Sequence, residues 1–537
     1  MTPADRLETL ETEYLAARGA RDRLDVARAT GEADPEGALE PAARVASDAV
    51  HQRLSTFLPS DEHDLAADDL RAYRTIRSGI VAADEYVLPV APSLQGGDCD
   101  DRAGWDAAFA GGAGALREHT EACFGVQGDG LPYGGRRLTR LQVLGRLAVE
   151  PDPDTRMALF LALQPLWRTM DGGSGGRSPY RTLVREDAEA WHAGASPIAV
   201  NAAALGVTPD DIETWALTAL AAWRAAVVEP ARARGEPATE PWDWWWKAGA
   251  ARRILEPIPL ESVVLVNRSW YASLGADPAA LRVHMDLEQR SGRPIVPTAF
   301  TTFGERPARR PDGSWSPGRP TILMSLTDGG IHELEELVHE TGHAVHLAGI
   351  RTRPAYADWP DSDAFIEAIA EIAALDILEP AWLRRWLPGL PEVPGGTAIR
   401  SRYAEVALDA AWALFEIRVH ATPERDPNEI WAEITSTWLG IRAHPEMAWW
   451  AIRGQLIESP GYMANYAIAA VLATALRAAI RSEIGDWTEG NRDWYPWMRA
   501  HVYRFGLERP SRDVIHDLLG RSLNANALLG EIARAVR

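Results

Sequence analysis

The stretch Ile331–Ile350, IHELEELVHETGHAVHLAGI, decides how the rest of the chain is read. Ile331, Leu334, Leu337, Val338 and Val345 recur at three- and four-residue steps, the period of a helix with one buried face. Within it stands His339-Glu340-Thr341-Gly342-His343, an H-E-x-x-H run. Residues four apart share a helix face, so His339 and His343 aim their rings at one point. Imidazole is a favoured zinc ligand, and zinc accepts three protein ligands plus a water. Glu340 stands beside the first histidine, where it can act on that water as general base. In a chain with this much histidine, chance gives such a run about once in fifty sequences, so its surroundings have to support it.

They do so on both sides. Upstream, Pro320–Thr327 (PTILMSLT) is short and rich in β-branched residues and predicts a strand. Asp328-Gly329-Gly330 then supplies a turn from which a helix can start. Pro294–Phe303 (PIVPTAFTTF) predicts a second strand, and the Pro-, Gly- and Arg-rich Gly304–Arg319 a loop between the two. Downstream, Ser362–Leu375 (SDAFIEAIAEIAAL) is an apolar helical run carrying Glu367, 24 residues after His343, and Glu371 one turn further on. Carboxylates on an apolar helix need a partner, because burying them unpaired is costly. Zinc supplies one for Glu367, preferred as third ligand over Asp361 and Asp363. Glu371 can accept a hydrogen bond from a ligand histidine and fix its tautomer. A metzincin arrangement fails, since the positions that need Gly and His hold His346 and Gly349. His346 lies off the ligand face and is assigned a packed structural role; His332, His420 and His444 are left unplaced.

The remainder is mostly helical in pattern. Apolar steps mark residues 137–150 and 152–168. Thr208-Pro209-Asp210-Asp211 starts a helix that can run to about Val228, and Asp277-Pro278 repeats the cap-then-proline signal. Tyr462–Leu476 stops short of a bilayer span and predicts a buried helix. Gly172-Gly173-Ser174-Gly175-Gly176 lacks the Gly-Lys-Ser/Thr ending of a phosphate loop and is read as a mobile loop. The 22 tryptophans are read as core anchors.

Composition bounds the function. The chain has 537 residues and a net charge of −21, which disfavours phosphate backbones and anionic membranes, so neither nucleic acid nor membrane is expected as a partner. Cys99 and Cys123 are too few for a disulfide scaffold or a thiolate metal cluster. No secretory pattern opens the chain, and the expected compartment is the cytoplasm.

HETGHAVH (His339–His346) resembles the H-E-x-G-H-x-x-H signature of the thimet oligopeptidase and oligoendopeptidase F family, a group of glutamate-ligand zinc peptidases. FIEAIAE (Phe365–Glu371) falls where that family has its third-ligand glutamate, a segment that also fits the angiotensin-converting-enzyme relatives. DLEQRSGRP (Asp286–Pro294) is similar to the family's D-x-x-x-R-x-G-K segment, with Arg293 for Lys, and Leu518–Ile532 to its closing helix. Pro460–Tyr466 (PGYMANY) looks like the tyrosine-bearing helix whose hydroxyls face the scissile carbonyl. The resemblance covers about residues 284–530. It implies a deep channel between two lobes, and oxyanion-donor roles for Tyr462 and Tyr466, which otherwise read as interior tyrosines. Two departures stand out: RGQLIESPGY has no histidine before the tyrosine helix, and a third expected tyrosine is Ala469.

The expectation is a mostly helical, two-lobed zinc metallopeptidase with a small β-sheet beside the active-site helix. Residues 1–200 would form an N-terminal helical lobe and residues 201–537 the catalytic lobe. One Zn²⁺ per chain would sit on His339, His343 and Glu367, with Glu340 as base and an oligopeptide or peptide-like small molecule as substrate. Two rivals are a zinc-dependent hydrolase of a small-molecule amide and a catalytically dead, metal-stabilised binding protein. The missing histidine and tyrosine favour the first; an intact Glu340 argues against the second.

Overall fold

The computed structural model describes residues 2–30, 37–85, 98–128, 130–172, 177–194, 196–255, 258–287, 299–310, 312–324, 326 and 329–534. Helices dominate, and the sheets are few and small. The principal core gathers residues from Ala108 to Ile532. Trp270, Trp382, Trp412, Trp431, Trp449 and Trp450 are fully buried in it, as large apolar anchors should be. A smaller core joins the N-terminal helix Pro3–Thr30 to Leu39–Leu54 and Ala67–Glu85, and takes in Ala355 and Tyr356. Charged pairs fasten that helix to the segments around the site: Arg306 Nε bonds Asp22 at 2.6 Å, and Arg353 Nε bonds Glu11 at 2.8 Å.

Five elements frame the site. The histidine helix is Gly330–Gly349, the glutamate helix Asp363–Ala374, the tyrosine helix Met463–Ile484, and the long helix Gly395–Ala421. The fifth is a three-stranded sheet in the order His284–Asp286, Arg319–Leu323, Phe300–Glu305. Its first pair is parallel, with His284 opposite Thr321, and its second antiparallel, with Thr301 opposite Ile322. The tyrosine helix is long and apolar enough to cross a membrane, yet 78% of its most apolar window is buried against its neighbours, as the sequence led one to expect.

Several local expectations change. The strand expected over Pro294–Phe303 starts at Phe300; residues 294–298, like Gly173–Gly176 of the glycine run, lie outside the described residues. The expected loop 304–319 holds a short hairpin, Ala308–Arg309 against Trp315–Ser316. Thr208 caps its helix reciprocally with Asp211, at 3.2 and 2.8 Å. That helix passes Glu229-Pro230 without stopping, because a wider π turn over Arg224–Val228 removes the backbone bond that proline would break. Asp277-Pro278 opens a turn and no helix. Val283 N–H bonds back to Pro278 O at 2.9 Å, and Arg282 takes a left-handed φ of 59°, which turns the chain into the His284 strand. Cys99 and Cys123 form one disulfide, with Cα atoms 5.4 Å apart.

Candidate metal centre

The histidine helix starts where Gly329 and Gly330 both take positive φ, 80° and 84°. Gly329 N–H donates to Glu333 at 2.9 Å, and Gly330 N–H to Ile258 O at 2.9 Å, so the entry is fixed without a side-chain cap. Behind it packs the helix Leu260–Ser273. Its Tyr271 hydroxyl donates to Val338 O at 2.7 Å, and its Asn267 amide donates to Thr341 Oγ1 at 2.9 Å. On the other side, Gly342 lets the glutamate helix approach. A Cβ there would stand 2.7 Å from Ala370 O and 2.9 Å from Ala370 Cα.

That close approach assembles the site. His339 Nε2 stands 3.1 Å from His343 Nε2 and 3.4 Å from Glu367 Oε2, and the three atoms lie within 4.8 Å of one another. Ligands on a tetrahedral zinc at its usual bond lengths are about 3.3 Å apart. His339 Nδ1 lies 2.7 Å from Glu371 Oε1, and in the neutral ring a proton on Nδ1 would turn the Nε2 lone pair to the common point. Asp361 is spent elsewhere: its Oδ1 accepts from Ser511 N–H at 2.8 Å and from the Ser511 hydroxyl at 2.5 Å.

The charges agree with a cation at this point. Burial works against a charged His339, but hydrogen bonds to Glu367 and Glu371 overcome it and hold its pKa well above the ordinary value, so a metal here would displace the proton on its ring. Burial, reinforced by the His339 charge, pushes His343 down to about 3, so it is neutral and able to ligate. Burial alone would raise Glu367; the His339 hydrogen bond and the electrostatic pull of the two histidines outweigh it and draw the carboxyl down to about 2. Two imidazoles and one ionised carboxylate are a donor set that zinc accepts.

Glu340 is only 5% exposed. Its Oε2 accepts from the Thr301 hydroxyl at 2.7 Å, and burial raises its carboxyl to about 7 against the pull of His339 and Thr301. A carboxylate poised there is matched to general base work near neutral pH. Thr301 was not singled out in the sequence, although it lies in the segment read as a strand; its pairing in the sheet is what aims its hydroxyl at the histidine helix.

Tyr462 and Tyr466 reach the same site, their rings edge to face at 5.5 Å. Tyr462 OH donates to Glu367 Oε1 at 3.4 Å, and Tyr466 OH accepts from Gln455 Nε2 at 3.4 Å. Burial raises both phenols, which therefore stay protonated as donors. Where a histidine was expected before this helix, Arg453 lies 5.7 Å from the Tyr466 ring centre and bonds Asp409 of the long helix at 2.6 Å. His346 is buried between Trp359 and Tyr503, at 5.8 and 5.1 Å between ring centres, in the packing role assigned to it. His420 stacks on Trp191 at 3.6 Å, and His444 pairs with Glu240 at 3.0 Å and Glu446 at 2.6 Å.

No protein-family model and no curated protein matches the sequence. Solved structures do match the fold. An M32 carboxypeptidase from Deinococcus radiodurans R1 is similar over 99% of both chains, at 14% identity and a TM-score of 0.60. A carboxypeptidase from Pyrococcus furiosus is similar over 99% of both chains, at 14% identity and a TM-score of 0.52. The chain thus shares the fold of the M32 carboxypeptidase, and these neighbours are not the thimet oligopeptidases that the sequence motifs resemble.

Proposed function

We propose that this chain is a zinc metallopeptidase that hydrolyses oligopeptides. The observation that carries the reading is the convergence of His339 Nε2, His343 Nε2 and Glu367 Oε2, at 3.1 and 3.4 Å, beside a buried Glu340. Zinc held by these three residues would lower the pKa of a water and polarise the scissile carbonyl. Thr301 occupies Oε2 of Glu340, so Oε1 takes the proton of the attacking water. The same carboxyl then returns that proton to the leaving amine. The Tyr466 hydroxyl accepts from Gln455 and keeps its own proton to donate to the oxygen where negative charge develops, and the Tyr462 hydroxyl would turn from Glu367 Oε1 to join it. Glu371 holds His339 in the ligating tautomer.

The likeness to carboxypeptidases favours removal of C-terminal residues over internal cleavage. The test is to incubate the zinc-loaded protein with a mixed oligopeptide library and follow the products by mass spectrometry. Peptides shortened from the C-terminus, with a chelator stopping the reaction, are the expected result. An intact library with full zinc content would overturn the peptidase reading. It would favour the rival small-molecule amide hydrolase, which has its own support in the stretch RGQLIESPGY, without the expected histidine, and in Ala469 at the place of a third tyrosine.

A further inference from the structure

Glu416 is fully buried in the long helix, and among the described residues it forms no ion pair. A carboxyl in that position is costly unless hydrogen bonds compensate it. The compensation comes from the entry to the tyrosine helix. Gly461 N–H donates to Glu416 Oε1 at 2.6 Å, and Met463 N–H donates to Glu416 Oε2 at 3.2 Å. The N–H between them, on Tyr462, bonds Ser459 O at 2.9 Å. The tyrosine helix has no side-chain cap of its own. Glu416 therefore caps it from another helix, gripping the backbone on both sides of Tyr462.

The turn leaves little freedom to compensate for losing that grip. Gly461 has φ +89°, and a Cβ on it would stand 2.9 Å from Pro197 Cβ. Asp409 stands two turns before Glu416, on one stripe of the long helix. Asp409 holds Arg453, which lies against the ring of Tyr466. One face of one helix thus supports both tyrosines.

We infer that Glu416 is the positioning residue that holds the Tyr462 hydroxyl at Glu367 Oε1, from where it would turn to the reacting carbonyl. The inference rests on the peptidase reading for the chemistry and on the hydrogen bonds above for the geometry. Glu416→Gln keeps the shape but sets an amide N–H against one backbone N–H. Glu416→Asp keeps the carboxyl group but is too short to reach both N–H groups, and serves if the glutamine variant fails to fold.

Two readouts test it. In a cycle with Tyr462→Phe, Glu416→Gln should lower kcat about tenfold or more with a smaller change in KM, and cost less than about twofold when Phe is already at 462. Losses that multiply in the double variant would overturn the inference. The second readout needs neither metal nor substrate. In protein labelled with [13Cζ]tyrosine, the Tyr462 resonance, assigned by its loss in Tyr462→Phe, should shift in Glu416→Gln. An unmoved resonance would overturn the inference even if the wild type cleaves peptides. A shifted resonance in a protein that cleaves nothing would support the positioning and reject only the peptidase reading.

Discussion

Thr301 is the smallest change with a clear expectation. Its hydroxyl is the hydrogen-bond donor holding Oε2 of Glu340. Thr301→Val keeps the branched shape a strand favours and removes that donor. kcat should fall about tenfold, the order expected for a hydrogen bond to a charged group, while zinc content stays at the wild-type level. An unchanged kcat would mean that Glu340 is aimed by its helix alone. The acids of the glutamate helix divide in the same way. Glu371→Ala removes the partner of His339 Nδ1 and should weaken zinc binding about 10–100-fold. Glu367→Ala removes a donor atom and should weaken it further. Chelator competition measures both, and a larger loss for Glu371 would exchange the two roles. For Tyr466→Phe, kcat should drop more than KM changes, because an oxyanion donor acts in the transition state.

Between elements, the decisive contact is the crossing of the histidine and glutamate helices at Gly342. Gly342→Ala places a methyl group against the Ala370 backbone, which cannot swing aside as a side chain can. Overpacking of this kind costs about 1–3 kcal/mol, and it should move Glu367 away from His339. Calorimetry should show a lowered Tm, and elemental analysis a lowered zinc content. A lower Tm with full zinc would show that the site tolerates a wider crossing. The elements themselves were legible where pattern is local. The H-E-x-x-H helix, the Glu367 helix, the Thr208 cap and the buried Tyr462–Leu476 run are set by spacing and by capping chemistry. What misled or was missed depends on contacts distant in sequence. Asp277-Pro278 carries a helix-start signal but is overruled by the strand that follows. Thr301 and Glu416 act across 39 and 45 residues, through a sheet and through a helix pair. Arg453 lies in the stretch where a histidine was expected, and only the fold shows that Asp409 holds it.

For the molecule as a whole, buried carboxyls set a pH dependence. Burial pushes Glu416 up to about 8, while in the unfolded chain a glutamate ionises near pH ~4.3. Its contribution to stability is full below the unfolded value and is lost as the pH rises through about 8. Unfolding measured at about pH 5 and about pH 9 should show the wild type losing more stability than Glu416→Gln over that window. Equal losses would mean that the carboxyl is not shifted. The fold as a whole serves to hold two helices, one strand and the tyrosine turn around one point. The most direct test of what happens at that point is Glu340→Gln, which nearly preserves shape, leaves all three ligand residues in place and removes the proton acceptor. Zinc content and hydrolysis of an oligopeptide library should be measured side by side for wild type and variant. Full zinc with hydrolysis reduced by at least the ~10²–10⁴ of general acid–base catalysis is the expected result. Full zinc with undiminished hydrolysis would contradict it.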